Sequence, residues 1–210
     1  MNTRLQNLFS AIKNIEKMLF PDRCIGCGRD DELLCENCAV KLGRARDDQE
    51  RHTIAVYSYQ DPVIRAAIKK LKYKNRTPLA RIFAGLLAPH LLDELADRLL
   101  FDNFRDPLLV AVPLSKKRFR GRGYNHAALL ANALAKETGI DYRGDHIQKI
   151  RETATQVSVR NRNERLKNLR GAFRANPSVV AGRNCVVVDD VYTTGATLQE
   201  VSRALRRAGA

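Results

Sequence analysis

Residues 184–197 read Asn-Cys-Val-Val-Val-Asp-Asp-Val-Tyr-Thr-Thr-Gly-Ala-Thr, an order suited to gripping an anion. A short apolar run, 185–188, delivers two adjacent carboxylates, Asp189 and Asp190. A hydroxyl- and glycine-rich turn follows, and then a helical pattern over 198–207. A buried strand that ends in acids before a helix N-terminus makes a phosphate cradle, because backbone N–H groups and the positive end of the helix dipole point at the anion. Thr193, Thr194 and Thr197 add hydroxyls, while Gly195 lets the backbone come close. Asp189 and Asp190 can then hold ribose hydroxyls or a magnesium ion.

A second constellation lies near the N-terminus. Cys24, Cys27, Cys35 and Cys38 are spaced C-x2-C-x7-C-x2-C. Each C-x2-C pair can present two thiolates on one side of a tight turn, and two such pairs complete a tetrahedral S4 zinc site. Gly26 and Gly28 relax the first knuckle, and the second opens a short helical pattern over 36–42. The gap between the pairs is short, so the lobe must be very small and must depend on its metal to fold. Two disulfides or an iron–sulfur cluster are the other readings; disulfides are disfavoured in a chain without a secretory signal. Cys185 falls in the apolar run and reads as a buried core residue.

The elements that must position these groups alternate. A strand is expected over 53–59, helices over 62–73 and 78–100, each with proline in its first turn, and a buried strand over 108–113. Residues 125–138 read as a helix ending at Gly139, and 146–150 as a short strand. A long basic segment fills 151–174, a turn 176–184, and the last strand 185–189. Strands alternating with helices predict an α/β sheet flanked by helices, with ligands at the carboxyl ends of the strands. The division expected is a leading amphipathic helix over 1–20, a metal lobe over 21–43, a charged linker over 44–52, and an α/β domain over 53–210. The chain stops at Ala210, just after the helix-capping signal Gly209, where a doubly wound sheet would continue. A missing C-terminal strand is therefore expected.

The 210 residues carry a formal charge of +14, which predicts an anionic partner, nucleic acid or polyphosphate. Ser115, Lys116, Lys117, Arg118, Arg120 and Arg122 lie in one basic, glycine-bearing loop between the 108–113 strand and the next helix. Arg151, Arg160, Arg162 and Arg165 belong to the second basic stretch. No apolar run approaches the roughly 18–20 residues that span a bilayer. The leading segment lacks a signal peptide's continuous apolar centre, and a cytoplasmic location is the default.

The acid pair with its threonine turn resembles the phosphoribosyl-pyrophosphate (PRPP) loop of type I phosphoribosyltransferases. The resemblance assigns Asp189 and Asp190 to the ribose, and Thr193, Thr194, Gly195, Ala196 and Thr197 to the 5-phosphate. Three further segments sharpen it: Arg122-Gly123-Tyr124-Asn125-His126, Arg151-Glu152-Thr153-Ala154-Thr155-Gln156, and Asn168-Leu169-Arg170-Gly171-Ala172-Phe173. With the cysteine knuckle they resemble the ComF family of competence proteins and its GntX-type relatives, from about residue 20 to the end. The family pattern places glutamine where this chain has His126.

That resemblance implies a type I phosphoribosyltransferase-like sheet carrying an N-terminal zinc finger. It also implies a protein that handles incoming single-stranded DNA in natural transformation, alongside DNA-uptake machinery. Two functions follow. One is a DNA-handling protein with a pocket for PRPP or a related phosphate ligand. The other is a magnesium-dependent phosphoribosyltransferase, in which Ser115, Lys116 and Lys117 meet the pyrophosphate and Arg151 or Arg160 closes over it. Thr193 stands where purine transferases carry a further aspartate, which argues against that subgroup. Single-strand binding also wants flat groups for stacking, and Phe119, Tyr124, Phe173 and Tyr192 are the nearby aromatics.

Overall fold

A computed structural model describes residues 22–45, 53–74, 76–144, 146–153 and 167–210. The expected leading helix, most of the linker, and Arg160, Arg162 and Arg165 lie outside the described residues. The described residues fall into two compact units, one of 22–45 with 57–67 and one of 53–56 with 68–210.

In the first unit, two knuckles bring the cysteines together. The N–H of Gly28 donates to the Cys24 carbonyl at 2.8 Å, and Gly28 sits at φ 77°, a left-handed conformation that favours glycine. Helix α1 (Glu36–Ala39) starts directly after Cys35. Helix α2 (Pro62–Tyr73) begins in this unit, and the division falls within it after Ala67. Asp61 caps α2 by accepting the N–H groups of Val63 and Ile64 at 2.7 and 3.0 Å. Its other oxygen accepts Gly43 N–H at 2.8 Å.

The strand expected over 53–59 does not form. Tyr57 makes one isolated antiparallel bridge with Arg44, and Ser58 N–H donates to the Gly43 carbonyl at 2.8 Å. Alternation of side chains sets a period, but a strand exists only where a neighbour supplies a row of backbone partners.

The second unit is built on a parallel three-stranded sheet in the order β2-β1-β5, with β1 Leu108–Ala111, β2 Asp141–Tyr142 and β5 Cys185–Val188. β1 is the middle strand and all four of its residues are buried, as a strand covered on both faces must be. Helix α3 (Pro78–Phe101) packs on α5 (His126–Thr138), and α5 in turn packs on β1 and β5. Strands β3 (Ile147–Lys149) and β4 (Phe173–Ala175) form a separate antiparallel pair, and helix α7 (Ala196–Arg207) packs against β4 and β5. A short helix, α6 (Pro177–Val180), lies in what the sequence marks as a turn; Asn176 caps it. The alternation of helices with a parallel sheet is the α/β class expected. Neither β2 nor β4 is foreseen, because two- and three-residue strands carry too little pattern to register.

One correction concerns the basic loop. Residues 116–122 form helix α4 (Lys116–Arg122) rather than a loop. Ser115 caps its start by accepting Arg118 N–H at 3.4 Å, and Gly123 ends it in the left-handed conformation at φ 78°. The two caps outweigh a composition of cations and glycine. Cys185 is likewise part-exposed rather than fully buried, and burial still raises its thiol pKa.

Candidate functional site

Parallel pairing puts the carboxyl ends of β1 and β5 on the same edge of the sheet. Just past that edge, Val112 N–H donates to the Val188 carbonyl at 2.9 Å and holds the two exits in register. One exit leads to Ser115 and α4, the other to Asp189 and Asp190. The acids and the basic helix thus leave one edge of the sheet, where ligands of open α/β sheets bind.

Asp189 and residues 191–198 line a polar concavity. Gly195 adopts φ 71° and caps the start of α7, whose first-turn N–H groups have no partners within the helix. This loop is anchored from behind. Glu200, on the buried stripe of α7 with Ala196, Val201, Ala204 and Leu205, accepts Gly171 N–H at 2.7 Å. Arg203 and Arg207 each approach its carboxylate to 3.3 Å.

The acid pair carries its own countercharge. Lys72, near the end of α2, forms an ion pair with Asp190 Oδ2, and His126 Nε2 lies 3.5 Å from the same oxygen. Arg122 contacts His126 Nδ1 at 3.2 Å. A guanidinium only donates, so Nδ1 accepts and the imidazole proton sits on Nε2, facing Asp190. Arg122 also donates to the Tyr73 hydroxyl at 2.9 Å, with its guanidinium 4.7 Å from the ring centre. Burial works to raise the Asp190 carboxyl, but His126 and the Lys72 ammonium outweigh it and hold it well below the usual carboxylate range. Asp189 moves the other way: burial first, then the negative charge of Asp190, push it well above its ordinary value. The two carboxyls are thus pushed in opposite directions, and Lys72 and His126 favour the charged form of Asp190.

The stretch 122–126 is explained residue by residue. Arg122 bridges Tyr73 and His126, Gly123 ends α4, and the Tyr124 hydroxyl donates to the Leu71 carbonyl. Asn125 caps α5 by accepting Ala127 N–H at 3.1 Å, and its amide donates to the Val112 carbonyl at 3.0 Å. His126 reaches the acid pair. The other expected cations are placed differently. Lys116, Lys117 and Arg120 are exposed on α4, and Arg118 is half-buried. Arg151 spans the carbonyls of Asn168 and Arg170 at 2.9 and 2.7 Å, joining the two ends of the basic segment.

Glu152 accepts Lys117 N–H at 3.3 Å. A hydrogen bond from Ser115 is the chief cause that lowers its carboxyl pKa. Lys72 is absent from the sequence reading and Glu152 enters it only as part of a segment with no role of its own, since each is one charged residue among many on a surface-like pattern. Glu200 had a signal: it is a carboxylate at four-residue spacing from Ala196 and Ala204, on an apolar helix stripe.

In the first unit, the four cysteine Sγ atoms lie within 4.8 Å of one another, and none is in a disulfide. Cys35 Sγ is 3.6 Å from Cys24 Sγ and 3.7 Å from Cys27 Sγ. A disulfide needs about 2.0 Å. The edge of an S4 tetrahedron with metal–sulfur bonds of about 2.3 Å is about 3.8 Å, so the cluster fits a single tetrahedral metal ion. Thiols this close cannot all ionise on their own. Burial opposes the Cys24 thiolate, but backbone donors from Cys35, Cys27 and Gly26 prevail and bring it to about 6. Cys38 is pushed up to about 12, chiefly by its hydrogen bond to Cys35 and then by burial. A Cβ at Gly26 would lie 2.7 Å from Cys38 Sγ, so the knuckle closes only around glycine.

Fold and edge site define a phosphoribosyltransferase-type domain that accompanies a four-cysteine lobe. The family model of the phosphoribosyl transferase domain matches residues 121–210. DNA utilization protein YhgH of Escherichia coli (strain K12) is 33% identical over 200 residues, covering 89% of this chain and 84% of the relative. Competence protein ComFC of Bacillus subtilis is 30% identical over 189 residues, with 89% and 72% covered. Competence protein F of Haemophilus influenzae is 28% identical over 188 residues, with 89% and 79% covered. The chain belongs to the ComF family. Among the described residues, no helix is long and apolar enough to cross a membrane.

Proposed function

We propose that this protein handles incoming single-stranded DNA during DNA uptake, on the cytoplasmic side, and that its acid-pair pocket takes PRPP or a related sugar phosphate. The observation that carries the reading is that one sheet edge emits both the acid pair with its threonine turn and the cationic helix α4. The names of the relatives, a DNA utilization protein and two competence proteins, support the pathway. Asp189 and Asp190 hold the ribose hydroxyls or magnesium, and Thr193 through Thr197 hold the 5-phosphate. Ser115, Lys116 and Lys117 face the pyrophosphate, and Arg118, Arg120 and Arg122 serve pyrophosphate or DNA, as do Arg160, Arg162 and Arg165. A ribose diol entering the pocket exchanges with the Lys72 ammonium on Asp190. Zinc fills the cysteine tetrahedron, because a multi-iron cluster would hold the sulfurs further apart.

The test is fluorescence anisotropy of a labelled single-stranded oligonucleotide across a salt series, with and without Mg–PRPP. Salt-steep binding is expected, with a shift in affinity on adding PRPP and a shallower slope for Lys116→Ala/Arg118→Ala. No binding at physiological salt overturns the DNA reading.

The match of residues 121–210 to the transferase domain favours a second reading, a working transferase. Asp189 and Asp190 then orient the ribose, and Lys116 and Lys117 stabilise the charge on the departing pyrophosphate. Asp190→Asn abolishes pyrophosphate release on that reading; a wild type that releases none with any common base offered excludes it.

A further inference from the structure

We propose that Phe119 and Tyr73 are base-stacking faces, and that with the cations of α4 they form the surface that receives single-stranded DNA. The inference rests on the DNA-handling reading and names where and how the strand is held.

Helix α4 is the starting point. It has seven residues and none of its side chains is buried. A helix this short is marginal alone, and packing of an apolar face is what ordinarily sustains one. Here the Ser115 and Gly123 caps hold it, which leaves Lys116, Lys117, Phe119 and Arg120 exposed and Arg118 and Arg122 half-buried. Phe119 stands among these cations at 50% exposure.

A lone exposed phenylalanine is ordinary on a protein surface. The setting of Phe119 is not. Positions 119 and 122 are three apart on one helix, so Phe119 and Arg122 are neighbours on its surface. Arg122 in turn lies over the Tyr73 ring, which is 64% exposed. An exposed ring on α4 thus lies three positions from the arginine that covers a second exposed ring, and further cations share the helix. Every base offers a π face to a ring, while the backbone seeks cations, so single-stranded nucleic acid fits both features of this surface. Duplex DNA keeps its bases stacked inside and uses only the cations. A protein partner of acidic character would use the charges and leave the rings idle.

The surface also touches the acid pair. Arg122 contacts His126, and His126 faces Asp190. A strand stacked on Tyr73 therefore bears on the residues that border the pocket.

The experiment measures affinity for an oligo-dT and for an abasic strand of equal length, which has the same phosphates and no bases. The wild type should prefer oligo-dT, and each of Phe119→Ala and Tyr73→Ala should weaken oligo-dT binding roughly tenfold, the change that about 1.4 kcal/mol of stacking produces. Binding to the abasic strand and the salt slope should stay unchanged. Phe119→Leu, which keeps apolar bulk without a π face, should behave as the alanine variant does, and Phe119→Tyr as the wild type. The chain has no tryptophan, so Phe119→Trp places a single indole there, and oligo-dT should quench it. Equal binding of both strands by the wild type, or unquenched indole while anisotropy reports binding, overturns the stacking surface and leaves the DNA reading intact. Failure of the wild type to bind either strand sinks the DNA reading itself. Indole that responds to phosphatidylglycerol vesicles but not to oligo-dT overturns the proposal in favour of a membrane surface.

Discussion

The cysteine lobe and the acid-pair pocket solve the same problem, clustered like charge, in opposite ways. In the lobe, four thiols converge with no cationic side chain among the ligands; Cys24 and Cys38 are driven apart in pKa, to about 6 and about 12. In the pocket, two carboxylates are also driven apart, but Lys72 and His126 already stand on Asp190. On the zinc reading proposed above, the lobe takes its cation from outside, as a bound metal ion. The pocket draws its countercharge from the chain itself, through Lys72. Metal removal and substitution of Lys72 should therefore act on different quantities: the one on whether the lobe folds, the other on how much stability the pocket holds.

The largest effect expected is on the lobe. Structural zinc contributes roughly 10–16 kcal/mol of apparent binding energy in small metal-dependent domains. Cys24→Ser, or a strong chelator, should remove bound metal and abolish protection of residues 22–45 in hydrogen exchange. Exchange protection of β1 and β5 should persist. A variant that keeps one equivalent of zinc contradicts the four-thiolate site.

Next comes Lys72→Met. Removing one partner of a buried pair leaves the other charge uncompensated, which costs about 3–5 kcal/mol. Urea unfolding should show a loss of that order, and adding Asp190→Asn to the same chain should restore most of it. A double variant whose loss is the sum of the two single losses would mean that Lys72 and Asp190 do not interact.

This contrast also explains what could be read from the sequence. The lobe was legible because its ligands are one residue type at short, regular spacing; Cys24 and Cys38 belong to one local pattern. The strand–acid–turn–helix order was legible for the same reason, as every part lies between 184 and 207. The groups that complete the pocket come from elsewhere. Lys72 lies at the end of α2 in a run of similar lysines, and only the fold selects it. His126 was visible as a departure from glutamine, but its orientation depends on Arg122 and Asp190 together. The strand expected at 53–59 fails for the converse reason: alternation sets a period, but among the described residues the pairing there is one isolated bridge between Tyr57 and Arg44.

A finer test of the lobe is Gly26→Ala. A methyl 2.7 Å from Cys38 Sγ must displace a metal ligand or the turn that carries Cys27. Overpacking of this kind costs about 1–3 kcal/mol, which should appear as weaker zinc binding in a competition titration. Gly28→Ala meets no atom within 4 Å, but its backbone lies at φ 77°, so strain alone should produce a smaller loss. Equal losses at the two positions would place the cost in backbone strain rather than in the thiol contact.

The smallest effect should come from Asp61, which joins Gly43 to the start of α2. Partial burial works to raise its carboxyl, but backbone donors from Gly43, Ile64 and Val63 outweigh it and lower the pKa. A carboxylate lowered on folding contributes stability that is present above its unfolded pKa of about 3.9 and disappears as pH falls through the folded value. Asn at a helix N-cap accepts the same N–H groups without a charge, so Asp61→Asn should cost little, whereas Asp61→Ala should cost about 0.5–2 kcal/mol. Acid also protonates the thiolates and releases metal, but that loss is common to wild type and variant. The difference between wild type and Asp61→Asn should therefore shrink from pH 5 to pH 3. A difference that stays constant over that range would assign the role of Asp61 to hydrogen-bond geometry alone, with no contribution from its charge.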